Sequence, residues 1–280
     1  MLKLSRLLQL MGGDILSEIK YYIRIYFMIV SQYIKSRMQF RADFYVSTFA
    51  MLIFNLSGIL SLWVVFTNIP QLEGWNFYEL CFLYSFTMLA LCPLQILFDN
   101  VWQLNNHVRN GSFIKYYFKP LNMLFYYMSE VFDLKGLGQI VLGVGALLYS
   151  SSKLGLDWSV FKIALLVLAI LSSSLIMISI MIISASLSFW IINSHAVTVL
   201  LFRFRDYSYY PMSIFGKSFR AIFTFIIPIG FISYYPSQIF LRSEDVGLLT
   251  VISPLIGIVM FVIAYAVWNK GTRSFSGTGS

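Results

Sequence analysis

Residues 44–67 contain no charged side chain, and Val160–Ile192 contain only one, Lys162. A helix rises about 1.5 Å per residue and the hydrocarbon core of a bilayer is about 30 Å thick, so about 20 apolar residues cross it. Both runs are long enough. The rest of the chain agrees: 59% of its 280 residues are hydrophobic and 11% are charged, against about 25% charged in soluble domains. Too few charges remain to cover a water-facing surface, so the natural solvent is lipid and the natural count is one membrane domain.

Six apolar spans can be drawn, over residues 44–67, 77–98, 121–149, 160–192, 219–241 and 247–269. The expected fold is an all-α polytopic membrane protein, with residues 1–43 as a cytoplasmic N-terminus and 270–280 as a cytoplasmic tail. The start, MLKLSRLLQLMGG, has an interrupted apolar run and no small-x-small cleavage site, which argues against a cleaved signal peptide. In residues 14–43, Ile15, Ile19, Tyr22, Tyr26, Val30, Tyr33 and Ile34 fall on one helical stripe, while Lys20, Arg24 and Lys35 fall elsewhere. The uncharged stretch Ile25–Ile34 is too short to span, so an amphipathic helix in the cytoplasmic interface is expected, basic side toward headgroups.

The formal net charge is +8. In a soluble chain this would suggest nucleic acid; here it follows the positive-inside rule. With both ends inside, the inner segments hold sixteen Lys and Arg and the outer ones three, Lys153, Lys162 and Arg242. That bias places residues 100–120 and 193–218 in the cytoplasm.

No motif for in-chain energy conversion or catalysis stands out. Gly216-Lys217-Ser218 copies the end of a phosphate-binding loop, but Pro211 stands where its first glycine belongs. His107 and His195 lie in different inner segments without clustered ligands, so no metal site is expected. Cys81 and Cys92 are about 16 Å apart along one helix, too far to bond within it.

Several residues within the spans are candidates for a role beside packing. Glu130, Asp133 and Lys135 are costly charges in an apolar run, suited to a gate or to pairing at the boundary. Glu130 and Asp133 are expected on one helix face. Gly136 and Gly143, seven apart, would let a neighbouring helix or subunit approach closely. Ser172, Ser179 and Ser186 also repeat every seven, and would bond back to helix carbonyls or line a path. Pro228 interrupts the fifth span, and Pro236 follows Tyr234 and Tyr235; a helix break is expected there, near the outer mouth.

In order and spacing, several stretches resemble one family. They are Phe118-Lys119-Pro120-Leu121-Asn122, then Glu130 and Asp133, Tyr210-Pro211 with Ile214-Phe215-Gly216-Lys217, Ile227-Pro228 through Tyr234-Tyr235-Pro236, and the tail Ser276–Ser280. They resemble the ABC transporter type-2 permeases, specifically a bacterial branch. Lys119 stands where that family typically has Arg, which keeps the charge and loses the donor fork.

The resemblance implies the membrane half of an exporter in the bacterial plasma membrane. It would pair with a second permease, identical or paralogous, and with separate ATPase subunits that bind ATP and Mg. This chain would hold no cofactor and act as no enzyme. Residues 100–120 would be the coupling loop, with 193–218 as a second contact. On that reading Trp102, Leu104, Val108, Phe113 and Ile114 are apolar knobs in the motor's groove, and Arg109, Lys115 and Lys119 meet acidic rims or lipid phosphate. Aromatic, serine-lined spans suit a lipid, an amphipathic peptide, a drug or a lipid-linked glycan as cargo. The competing reading is an ion-driven carrier or channel, which calls for ionisable residues near the midplane and often for internal repeats; a membrane scaffold without transport is a third.

Overall fold

A computed structural model describes residues 15–242 and 247–275. The start of the N-terminal segment and the tail motif at 276–280 lie outside the described residues, as do the side chains of Ile15 and Lys135. All regular structure among the described residues is helical, apart from one isolated bridge between Leu72 and Trp75.

Helix α1, Ile15–Arg37, leads into α2, Arg41–Asn68. The apolar stripe of α1 is covered: Val30 is buried and Tyr22, Tyr26, Tyr33 and Ile34 are half-buried, whereas Ile19 stays exposed. Tyr22 sets its ring edge-on to Phe125, centroids 4.9 Å apart, and its hydroxyl accepts from the Asn122 N–H at 3.4 Å. Lys20, Arg24 and Lys35 are exposed.

A tight turn with Glu73 and Gly74 in left-handed conformation (φ 49° and 78°) reverses the chain. Helix α3, Phe77–Leu97, then starts on a capping box: Asn76 accepts from the Glu79 N–H, and the Glu79 carboxylate accepts from the Asn76 N–H, both at 2.9 Å. These two bonds satisfy donors that a helix start leaves orphaned. Most of α3 is buried, including Cys81 and Cys92, which remain free thiols. It is the axis of the bundle.

The expected third span is not one helix. Helix α4, Leu104–Arg109, belongs to the segment after α3; α5 covers Met123–Ser129 and α6 covers Lys135–Lys153. Residues 131–134 between α5 and α6 are not helical. Glu130 and Asp133 therefore do not share a helix face. The break has a physical reason. A continuous helix would carry three charges into an apolar layer, whereas here the Asp133 N–H donates to the Ile96 carbonyl at 3.2 Å, in the last turn of α3, where carbonyls lack intrahelical partners. Helix α6 then lies against α3 with almost no gap. A Cβ at Gly136 would come 2.5 Å from Ile96 Cγ1, and one at Gly143 would come 2.9 Å from Leu89 Cδ2. The two glycines serve a seam within this chain.

Helix α7, Val160–Ser186, is capped by Ser159 and runs back toward the α4 end of the bundle. Ser174, Ser184 and Ser186 bond to carbonyls of their own helix. Ser172 and Ser173 instead cross to neighbours, at Ser253 and Phe231.

The path after α7 departs from expectation. Helix α8, His195–Phe204, begins beside α4, where Asn105 Nδ2 donates to Ser194 Oγ, and its Phe202 meets Trp102 edge-on at 4.7 Å. The chain then continues along α3. The Ser208 carbonyl accepts from Thr87 Oγ1 at 2.9 Å, midway along that helix, and Ser213 Oγ accepts from Trp75 Nε1 at 3.0 Å, at its far end. Residues 193–218 are thus not a loop on one side; they run the length of α3. Helix α9, Lys217–Ala221, and the π-turn 222–226 come back alongside, with Phe223 against Phe204 and Tyr207. The chain breaks at Ile227-Pro228: segments 217–226 and 229–241 meet at 75°. Helix α10, Tyr234–Leu241, returns to the Trp75 end, and Pro236 sits in its first turn, where its missing N–H costs little. Helix α11, Leu248–Ser274, packs along α7. A Cβ at Gly257 would come 2.1 Å from the Ser172 carbonyl oxygen.

Among the described residues, four helices are long and apolar enough to cross a membrane: 44–68, 77–97, 160–189 and 248–274. The bent pair makes at most a fifth. The six spans drawn from hydropathy are therefore not all present as drawn. The third is broken, and the fifth, 219–241, is a hairpin that enters and leaves at the Trp75 end.

Candidate coupling elbow

Residues 99–122 fold into a compact elbow at the end of α3. It consists of a 3-10 turn at Asp99–Gln103, helix α4, a left-handed Gly111 (φ 70°) and a second 3-10 helix at Ser112–Phe118. A 3-10 helix has three residues per turn, so Phe113 and Tyr116 share one face, Ile114 and Tyr117 a second, Lys115 and Phe118 a third.

The first of these faces points into the protein. Phe113 is fully buried and touches Tyr116, Tyr127, Phe189, Trp268 and Phe275, with centroids 5.1–5.9 Å away. Leu104 and Val108 are buried in the same cluster. These three were expected as outward knobs, and the structure corrects this: they are the elbow's own core, hidden because burying large apolar side chains on the bundle removes them from water. Trp102 is half-buried between α3 and α8. The apolar groups that face outward are Ile114, Tyr117 and Phe118; Phe118 is 80% exposed. Arg109, Lys115 and Lys119 are exposed around them.

Polar contacts fix the elbow to its neighbours. Asn100 and Tyr127 of α5 exchange bonds, Nδ2 to the Tyr127 carbonyl at 2.6 Å and the tyrosine hydroxyl to the Asn100 carbonyl at 3.0 Å. His107 Nδ1 lies 3.1 Å from the same hydroxyl. Asn105 Nδ2 donates to Ile192 O and Ser194 Oγ, each at 3.0 Å, which ties α4 to the α7–α8 turn. The Tyr117 hydroxyl donates to the Thr272 carbonyl near the end of α11, and its ring stacks on Phe275.

Glu130 closes the elbow from the α5–α6 break. Its carboxylate accepts from Lys115 Nζ at 3.2 Å and from the Tyr116 hydroxyl. Asp133 and Gly136 instead line a cavity of about 250 Å³ together with Asp99, Trp102, Phe202 and Arg205. The backbone of Lys135 opens α6; its side chain lies outside the described residues. Burial holds the His107 pKa below its usual 6.5, and the Lys115 charge adds to this while Glu130 opposes it. Burial and the bond to Glu130 both raise the Tyr116 phenol.

The hairpin that enters from the other end of the bundle turns at Pro228, within the bundle. Tyr235 is buried, its hydroxyl 2.8 Å from Thr224 Oγ1, so it ties the two arms of the hairpin together. Tyr234 is half-buried against Trp75.

Sequence reading missed Asn100, Asn105, Tyr116, Tyr117 and Phe118. The available signal was period three after Gly111, which sorts inward from outward rings. It also missed Arg242, which pairs with Glu79 and covers the Trp75 ring from more than 160 positions along the sequence.

These features define a class: a multi-pass membrane protein, helical throughout its described residues, with a compact elbow at one end of the bundle and a sharply bent helix pair reaching in from the other. Among the described residues no group of three or more His, Cys, Asp or Glu could hold a metal. The chain belongs to the ABC-2 family transporter proteins, whose family profile matches residues 52–279. That family points to a transport membrane subunit rather than an enzyme. No curated protein and no solved structure matches the chain.

Proposed function

We propose that this chain is the permease half of an ATP-driven exporter, working with a second permease and with separate ATPase chains that carry ATP and Mg. Six crossings serve it: α2, α3, α6, α7, the run 195–213, and α11. Both ends and the elbow face the cytoplasm of a bacterial cell, and α1 lies in the membrane interface. The run 195–213 replaces 219–241 as the fifth crossing. Lys217 and Arg220 then move to the outer side and Arg203 and Arg205 into the crossing, which leaves twelve inner Lys and Arg against five outer ones.

The observation that carries this reading is the elbow itself. It is a folded knob with a buried aromatic core, an outward apolar rim of Ile114, Tyr117 and Phe118, and a basic border of Arg109, Lys115 and Lys119. Such a knob passes force because its inside is close-packed and cannot yield gradually. A push on the rim moves α3, the α5–α6 break and the end of α11 together. The α7–α8 turn, where Trp190, Ile191 and Ile192 are exposed beside α4, forms the second contact in place of 193–218.

Co-purification tests it. The tagged chain is expected to bring down an ATPase, and the substitution Phe118→Asp is expected to release that ATPase. A chain that never captures one, and whose transport persists without ATP but collapses with the proton gradient, is an ion-driven carrier instead.

A further inference from the structure

Two joined cavities, about 380 and 490 Å³, lie between α1 and the bundle and share Tyr26, Asn122 and Phe125. The inner cavity reaches Leu97 of α3 and Phe261 of α11; the outer one opens past Ile23 and Phe27, which are exposed. The walls are apolar with few polar atoms. Asn122 and Tyr265 satisfy each other, Nδ2 to hydroxyl at 2.7 Å. The Tyr26 hydroxyl is buried and has no hydrogen-bond partner among the described residues, an arrangement that costs stability unless an acceptor or donor meets it.

We propose that this cleft binds one acyl chain of a bilayer phospholipid with an anionic headgroup, the Tyr26 hydroxyl donating to an ester or phosphate oxygen. Three observations select this occupant. A peptide would bring a backbone N–H and C=O for every residue, all needing partners, and the cleft offers one orphan hydroxyl. An acyl chain brings none. The exposed strip of α1 beside Ile23 and Phe27 is basic, with Lys20, Arg24 and Lys35 at near-helical spacing, while Glu18 is the carboxylate on the cleft wall; that balance favours a negative headgroup. The mouth also opens on apolar side chains that water would not cover. The inference stands on the membrane character of the chain and does not depend on the ATPase reading.

The test uses the full chain, reconstituted into vesicles of equal phosphatidylglycerol and phosphatidylcholine, extracted in mild detergent and weighed by native mass spectrometry. The expected result is one retained phospholipid per chain, enriched in phosphatidylglycerol. Leu97→Trp fills the inner cavity and should reduce retention to background. Tyr26→Phe, which leaves the packing intact, should weaken retention about fivefold, the effect of one lost hydrogen bond. The pair Lys20→Gln and Arg24→Gln should keep a lipid and lose the headgroup preference. Absence of retained lipid, equal retention by Tyr26→Phe and wild type, or an unchanged headgroup preference in the double variant overturns the proposal. If Leu97→Trp does not fold, Tyr26→Phe decides.

Discussion

Trp75 Nε1 donates to Ser213 Oγ at 3.0 Å, joining residues 138 positions apart. The same indole meets Tyr234 at 6.0 Å and lies under the Arg242 guanidinium at 5.2 Å. Arg242 in turn pairs with Glu79 at 3.3 Å and donates to the Gly74 carbonyl at 3.2 Å. One turn between α2 and α3 therefore holds both ends of the Pro228 hairpin. Residues on the two sides of a bilayer cannot make these contacts, so the region around Ser213 shares a side with Glu73.

Labelling with a membrane-impermeant maleimide in intact cells checks this. Cysteines introduced as Ser218→Cys and Glu73→Cys, both at exposed positions, should react from the same side, and Arg109→Cys from the opposite one. Labelling of Ser218→Cys together with Arg109→Cys would restore the cytoplasmic loop expected from charge counting.

The contrast shows what a sequence discloses. Helices α2 and α11 keep much of their surface exposed, and α7 is long and apolar throughout, so all three were legible as uniformly apolar runs. The stretch 195–213 runs along the bundle with one side against protein, through Thr198, Ser208, Pro211 and Met212, and the other side exposed. Arg205 lies over the Phe202 ring at 3.7 Å, and Arg220 donates to the Met212 and Ser213 carbonyls of this stretch. The charges that depress the hydropathy of this stretch are Arg203, Arg205 and Asp206, and Arg205, held between the Phe202 ring and Asp206, does not exclude the segment from the interior. Pro228 was legible because proline removes a helix bond wherever it stands. The inward turn of Leu104, Val108 and Phe113 was not, since apolar identity alone cannot distinguish a docking knob from a core residue.

Gly257 offers the sharpest test of packing. Any Cβ there would overlap the Ser172 backbone carbonyl, and the Gly257 N–H also donates to Ser172 Oγ at 3.2 Å. Gly257→Ala should destabilise the α7–α11 seam by about 3 kcal/mol. Gly145→Ala, with nothing within 4 Å of the added methyl, should cost nothing and gain slightly from helix propensity. Thermal unfolding in detergent separates the two.

The depressed His107 pKa makes a signed prediction. Between the folded-state pKa and 6.5 the unfolded chain binds more protons than the folded one, so stability rises with pH there. The contribution is complete above about 6.5 and shrinks as pH falls below it. Wild-type protein should lose unfolding midpoint between pH 7 and pH 5, with His107→Gln showing a flatter profile. An equal slope in the two proteins would place the acid sensitivity elsewhere.

Around Glu130 the two partners should differ. The Lys115 side chain is 49% exposed, so solvent screens the pair and Lys115→Ala should cost less than about 1 kcal/mol. Tyr116 is buried, and its hydroxyl approaches the carboxylate from the protein side. Tyr116→Phe removes that donor from a half-covered charge and should cost about 1–3 kcal/mol. Chemical unfolding of the two single variants gives the order directly.

Phe113 and Phe118 lie five residues apart on one 3-10 helix and should fail in opposite ways. Phe113 fills the centre of a ring cluster, and truncating a buried phenylalanine to alanine costs about 3–5 kcal/mol, so Phe113→Ala should lower the amount of folded protein. Phe118 is 80% exposed and has little contact to lose among the described residues. Phe118→Ala should leave the unfolding midpoint unchanged, yet weaken capture of the ATPase and ATP-driven transport, since exposed aromatic groups of this kind anchor interfaces. If Phe118→Ala transports normally while Ile114→Ala and Tyr117→Ala also do, the outward rim carries no motor, and force must enter through the exposed turn at Trp190–Ile192.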